Sequence, residues 1–154
     1  MAMLCAMWLG ISSGQSVQAE GFSDLAGNSH EQAIEALVEQ RIINGYEDGT
    51  FRPNNAVTRN TVVKLLGRWM QANGYVVPED AAQVSRFEDV ALTNDVELAQ
   101  LAALVQEEGV FVGAEGFLNG ANTMQRQHMA VVLVRAIDVM YGIDLVAQYK
   151  EAQF

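Results

Sequence analysis

Apolar residues along this chain fall into four helical patterns separated by polar, glycine-containing turns. Ala33, Ile34, Leu37 and Val38 share one helical face and predict an amphipathic helix ending near Arg41. Ser29 stands at its N-cap position, and Gln32, three residues on, completes a capping box. Val62, Val63, Leu65, Leu66, Trp69 and Met70 give a second helix, Thr58 to about Gln71, a wide apolar face. A third helix, from about Asp95 to Glu108, carries Leu98, Leu101, Leu104 and Val105, with Asn94 and Glu97 as its cap and box. The fourth opens at Met124-Gln125-Arg126 and carries Met129, Val131, Val132, Leu133, Ile137 and Met140. The expected fold class is all-α.

The turn between the first two helices organises the rest. Asp48-Gly49 supplies a tight turn, because glycine accepts positive φ at no steric cost. Pro53 fixes φ and stops any earlier helix from running through. Thr58 is a good N-cap, since its hydroxyl can accept from the first-turn N–H groups. Val57 before the cap and Val62 inside the helix make a hydrophobic staple. Arg59 is then the odd residue: a cation at the positive end of a helix dipole is mildly unfavourable. Free N–H groups, a positive dipole end and a planar fork of donors together describe an anion site. A solvated arginine costing a few tenths of a kcal/mol is the competing reading.

Recurrence separates the two. Phe22-Ser23-Asp24 returns as Phe87-Glu88-Asp89, and Asp48-Gly49-Thr50-Phe51 as Glu115-Gly116-Phe117-Leu118. Phe22 to Phe87 is 65 residues and Phe87 to Phe154 is 67, while Arg59 to Phe87 and Arg126 to Phe154 are both 28. A period of this size marks a modular array whose units cannot bury their own apolar faces. The expected divisions are repeat 1 over 20–72, a linker over 73–86 with Gly74 and Pro78 as breakers, repeat 2 over 87–141, and a linker over 142–154. Phe154 falls where a truncated third repeat would begin.

Composition narrows the setting. Half of the 154 residues are hydrophobic, enough for one or two small cores. A net charge of −10 argues against nucleic acid or an anionic bilayer as a partner held by bulk electrostatics. Any anion site must be local. Residues 1–19 read as a signal peptide: an apolar run from Met1 to about Ser12, too short to span a bilayer, then Val17-Gln18-Ala19 as a cleavage site before Glu20. No Lys or Arg precedes the run. A buried N-terminal helix is the alternative. The single Cys5 lies in this segment, so the mature chain has no disulfide or thiolate chemistry.

At this point the residues resemble the S-layer homology module. Its pattern is an F-x-D start, an A-I-x-x-L helix core, G-I-I-x-G-Y-x-D-G-T-F-x-P, and a T-R-A-E helix start. The matching residues are Phe22 and Asp24, Ala33, Ile34 and Leu37, Ile42 through Pro53, and Thr58-Arg59. The match is specific over some fifty residues and looser in the second repeat. The resemblance implies repeats packed as part of a pseudo-threefold helical bundle. It implies an exported protein, located at the cell wall or in an S-layer, that anchors non-covalently to the bacterial wall. The ligand implied is an anionic, pyruvylated secondary cell-wall polysaccharide bound in grooves between repeats. The motif arginine falls on Arg59 and Arg126, and a guanidinium on a ketal carboxylate makes a bidentate contact.

Secondary candidates follow from the same resemblance. Asp24 and Asp89 either orient a loop or a neighbouring arginine, or serve as local turn residues. Gly45 and Gly113 open the loops. Tyr46 either stacks on a sugar ring or packs half-buried. The chain departs from the family where Thr61 and His128 replace the T-R-A-E glutamate and Gln125 replaces the threonine cap. Glu31 replaces an aromatic, and Ala114 leaves Tyr46 without a counterpart. The second site is therefore weaker than the first.

Rival classes fail on residues. A calcium helix–loop–helix needs a bidentate Glu six after its glycine, where Asn55 stands. His30 and His128 belong to no ligand cluster with metal spacing, and no cofactor is implied. No nucleophile elbow, phosphate loop or catalytic carboxylate pair is present, so the chain reads as a binding module and not an enzyme. The alternative function is an anchor for a wall-active enzyme or outer-membrane protein whose working domain lies beyond residue 154, bound to peptidoglycan or peptidoglycan-linked polymer. Self-association is expected only if the protein contributes to an S-layer.

Overall fold

The computed structural model describes residues 21–151. The signal-peptide segment with Cys5, and Phe154 with the third-repeat start it suggests, lie outside the described residues. Five helices follow in order: α1 (Glu31–Glu39), α2 (Arg59–Ala72), α3 (Val96–Glu107), α4 (Arg126–Tyr141) and α5 (Leu145–Glu151). Among the described residues there is no sheet, only two isolated bridges, Thr58–Thr123 and Ala114–Phe117.

Each boundary has a local cause. The Thr58 hydroxyl accepts from the Thr61 N–H and opens α2 as expected. For α3 the cap is Asp95, whose carboxylate accepts from Leu98 N–H at 3.0 Å, and not Asn94. Ser29 does not cap α1. The Asn28 side chain accepts from the His30 N–H instead, and the helix starts at Glu31 with no side-chain cap. Gln125 likewise offers α4 no side-chain bond. Gly142, at φ 62°, closes α4 in the left-handed conformation. A short helix, α5, then occupies part of the stretch read as a linker.

The core lies between α2 and α3. Val62, Val63, Leu66 and Met70 meet Leu98, Leu101, Ala102 and Val105, all buried. Gly67 makes the approach possible: a Cβ there would lie 2.7 Å from the Leu101 Cβ. Phe87, Val110, Phe111 and Leu118 from the second unit's loops complete the cluster, with Val132 and Ala136 from α4. The 73–86 stretch is tied down. Tyr75 donates to the Val139 carbonyl at 2.8 Å, Ala81 is buried, and Arg86 pairs with Asp80 and Glu107.

The two units repeat their contacts. Asp24 accepts from Phe51 and Arg52 N–H at 2.8 and 2.7 Å, and Asp89 from Leu118 and Asn119 N–H, both at 2.7 Å. Arg52 and Asn119, the residues so clipped, both sit at positive φ, 60° and 55°. Ser23 N–H donates to Gly49 O and Glu88 N–H to Gly116 O, both at 3.0 Å. A Cβ on Gly45 would meet the Phe22 ring at 1.8 Å, and one on Gly113 the Phe87 ring at 2.6 Å. The opening aromatic of each unit thus lies against a bare glycine of its own loop.

Candidate functional site

The site is built where the second unit's loop meets the start of α2. Met124 N–H donates to Val57 O at 2.9 Å, Arg59 N–H to Asn122 O at 2.9 Å, and Asn60 N–H to Gly120 O at 3.0 Å. With Thr58 accepting from Thr61, the first-turn donors of α2 are all engaged. The helix N-terminus is therefore not the open anion site the sequence suggested: the 119–124 loop occupies it. What remains for a ligand is the side chain of Arg59.

That side chain is held on two sides. Its Nε donates to the Leu118 carbonyl at 2.5 Å, and its guanidinium carbon lies 4.8 Å from the Phe111 ring centroid. The two terminal nitrogens make no hydrogen bond to the described residues, and no carboxylate pairs with them. Arg59 lines a groove of about 170 Å³ whose floor is Phe111, Met124 and Val132 and whose rim carries His128 and Arg135 from α4. No acidic residue lines it. In a chain of net charge −10 this is a local positive spot, and the half-buried setting strengthens any charge-assisted contact made there.

A second, larger groove of about 450 Å³ lies between the 42–57 loop and α2. Tyr46, Pro53, Thr61, Leu65, Lys64 and Arg68 line it, with Asp95 at one end. Its cations are spoken for. Lys64 lies 2.7 Å from Asp95 and 3.3 Å from Glu97, and Arg68 holds Glu97 through two bonds of 2.7 and 2.8 Å. Partial burial pushes the Asp95 carboxyl up, but the Lys64 ammonium and the Leu98 N–H outweigh it and leave it below the ordinary carboxylate range.

The remaining sequence candidates divide. Arg126 starts α4, is exposed, and lines neither groove. Gly113 lines the smaller groove, Gly45 and Tyr46 the larger. Tyr46 is half exposed, but Arg52 covers one ring face at 3.8 Å while pairing with Asp48 at 2.7 Å. Asp24 and Asp89 lie in neither groove; both oxygens of each hold the backbone of their own loop. The Phe51 N–H in particular lowers the Asp24 pKa. Sequence reasoning missed Phe111, His128 and Arg135 as neighbours of Arg59. His128, Val131, Val132 and Arg135 share one helical face at i, i+3, i+4 and i+7, a register that was readable once the groove side of α4 was known.

Residues 21–60 match the model of the S-layer homology domain. Over 50 residues the chain is 38% identical to Cell surface glycoprotein 1 of Acetivibrio thermocellus. Residues 21–60 are thus an S-layer homology domain. The aligned stretch is 32% of the chain and 2% of that relative, so the similarity concerns one module of a far longer protein. Domains of this family are binding and anchoring modules rather than catalytic ones. Among the described residues, no helix is long and apolar enough to cross a membrane, and no group of three or more His, Cys, Asp or Glu side chains is placed to hold a metal ion.

Proposed function

We propose that this S-layer homology chain anchors an exported protein to the bacterial cell wall by binding an anionic, pyruvylated secondary wall polysaccharide. The observation that carries this is the Arg59 guanidinium: fixed by Leu118 and Phe111, free of any carboxylate partner, and facing a groove without acids. A ketal carboxylate fits the guanidinium, and an apolar sugar face fits the exposed Val112 and Val131 of the same groove. Asp89 and Gly113 serve this site indirectly, by shaping the loop that carries Leu118 and Phe111. Asp24, Gly45 and Tyr46 shape the equivalent loop of the first unit. Arg126 is the second, weaker ligand contact. Residues 87–141 act as a diverged second module, and residues 1–19 as the export signal.

The test is co-sedimentation with purified wall sacculi, before and after acid extraction of the secondary polymer. Wild type, Arg59→Ala and Arg126→Ala are compared, with folding checked by circular dichroism. Sedimentation lost on extraction and weakened most by Arg59→Ala is the expected result. Equal sedimentation with stripped walls would instead favour peptidoglycan itself, as for an anchor of a wall enzyme or outer-membrane protein. No sedimentation by a folded chain would overturn the anchoring reading.

A further inference from the structure

The third position of the second helix is used differently in the two units. In α2 it is Thr61, whose N–H donates to the Thr58 hydroxyl and whose own hydroxyl lies 2.9 Å from that oxygen. The side chain is engaged at the helix cap. In α4 the same position holds His128. Gln125 ahead of it makes no side-chain cap, so the imidazole has no cap to join. It is exposed, forms no ion pair among the described residues, and lines the groove that Arg59 also lines. Where the family pattern has a glutamate, this groove carries a base that can become a cation.

The charged groups around His128 come from two elements. α2 contributes Arg59 and α4 contributes Arg135, while the 111–114 loop contributes none. Met124, Val131 and Val132 complete the wall. Arginine stays protonated at every pH used for folded proteins. Among the described residues, His128 is therefore the groove side chain whose charge changes between pH 5 and 8. A carboxylate ligand stays ionised across that range. The chain has two histidines. The other, His30, precedes α1 and lines neither groove.

An anion in the groove favours the imidazolium over the neutral ring, and by reciprocity the imidazolium favours the anion. We infer that His128 makes the hold of this groove on an anionic glycan pH-dependent, tightening as pH falls from about 8 to about 5.5. The inference rests on the anchoring proposal and adds the regulation of its site. Binding takes up a proton wherever the free ring is neutral and the bound ring charged. Affinity is thus highest where the free ring already carries its proton, and it settles to a lower value above the range in which the bound ring loses it. His128 is exposed, so the contact has the strength of a surface ion pair, a factor of about two to five in affinity.

Co-sedimentation of the chain with purified wall sacculi, titrated between about pH 5.5 and 8 at fixed ionic strength, tests this. Wild type should bind about two- to fivefold tighter at the acid end. Groups on the wall titrate alike for every variant, so the difference between wild type and His128→Gln is the decisive reading. His128→Gln should lose the acid gain, and His128→Lys should keep the tighter binding up to the alkaline end. His30→Gln should follow wild type. The position is exposed and caps nothing, so all variants should melt near wild type, with circular dichroism recorded at each pH. Identical pH profiles for wild type and His128→Gln would overturn the inference and leave the anchoring proposal standing. So would a profile flattened by His30→Gln. Absence of sedimentation by folded wild type at every pH would overturn the anchoring proposal, and this inference with it.

Discussion

Arg59 and Arg126 occupy the same place in the sequence motif but different places in the molecule, and replacing each by methionine measures the difference. Methionine keeps most of the aliphatic stem and removes the guanidinium. At Arg59 this deletes the bond from Nε to the Leu118 carbonyl, in a half-buried residue. A hydrogen bond from a charged donor contributes roughly 1.5–3 kcal/mol. The stacking on Phe111 adds about 0.5–1 kcal/mol at a partly solvated site. Because the groove is open on one side, the lower half of the first range applies, and the expected loss is about 2–3 kcal/mol. Arg126 is exposed and lacks such partners among the described residues, so Arg126→Met should stay within about 0.5 kcal/mol of wild type. Equilibrium urea unfolding without glycan is the assay, with m-values compared to confirm that the same surface unfolds. Arg59→Lys should recover little, since a lysine cannot present the planar Nε donor. Equal losses at the two positions, or a loss below about 0.5 kcal/mol at Arg59, would refute the claim that Arg59 ties the units together. A loss as expected would also mean that binding by Arg59 variants has to be compared at equal folded fraction.

Three further outcomes follow from the same packing. Gly67→Ala gains about 1 kcal/mol of helix propensity but places a Cβ 2.7 Å from Leu101; overpacking of roughly 1–3 kcal/mol should win and lower the unfolding midpoint. Gly120→Ala should disrupt the junction, since its Cβ would lie 1.8 Å from Asn60 Oδ1, an atom buried without a partner; Asn60→Ala should restore much of the loss in a double-mutant cycle read by thermal unfolding. Asp48 is held down to about 2 by the Thr50 hydroxyl and by Arg52. Its folded pKa lies below its ordinary value, so its stabilising effect is complete above about pH 4 and disappears as pH falls through about 2. Asp24, lowered by the Phe51 N–H, acts in the same direction. Carboxyl titration by NMR should place Asp48 near 2, and Asp48→Asn should flatten the acid limb of the stability curve.

Helix existence was legible because it rests on periodicity: the apolar faces of α2 and α3 are the core of the structure. Caps were less so, because a cap is decided by one dihedral. Ser29 and Asn94 have the right chemistry, but Asp95 reaches the α3 donor and α1 starts with no side-chain cap. The repeat was legible as spacing, and its purpose only in space. Phe22 and Phe87 need Gly45 and Gly113 because each ring lies where a Cβ would be.

The anion site shows most clearly where sequence logic stops. A helix start with a threonine cap and an arginine does offer free N–H groups, and the inference would hold for an isolated unit. Here the neighbouring unit supplies three carbonyls' worth of satisfaction before any ligand arrives: Asn122 and Gly120 take the α2 donors, and Leu118 takes the arginine Nε. If Arg59 binds the anion as proposed, the tandem arrangement moves the site from the helix backbone to the side chain. It also orients that side chain, because the guanidinium is pinned through Nε and stacked on Phe111 where Arg59 lines the groove. Arg126, with the same motif but no loop laid over it, keeps an open helix start and an unfixed side chain. If the glycan prefers Arg59, preorganisation by the adjoining unit is the reason, and binding strength at each arginine should follow whether a loop covers it rather than how closely its own motif matches the family.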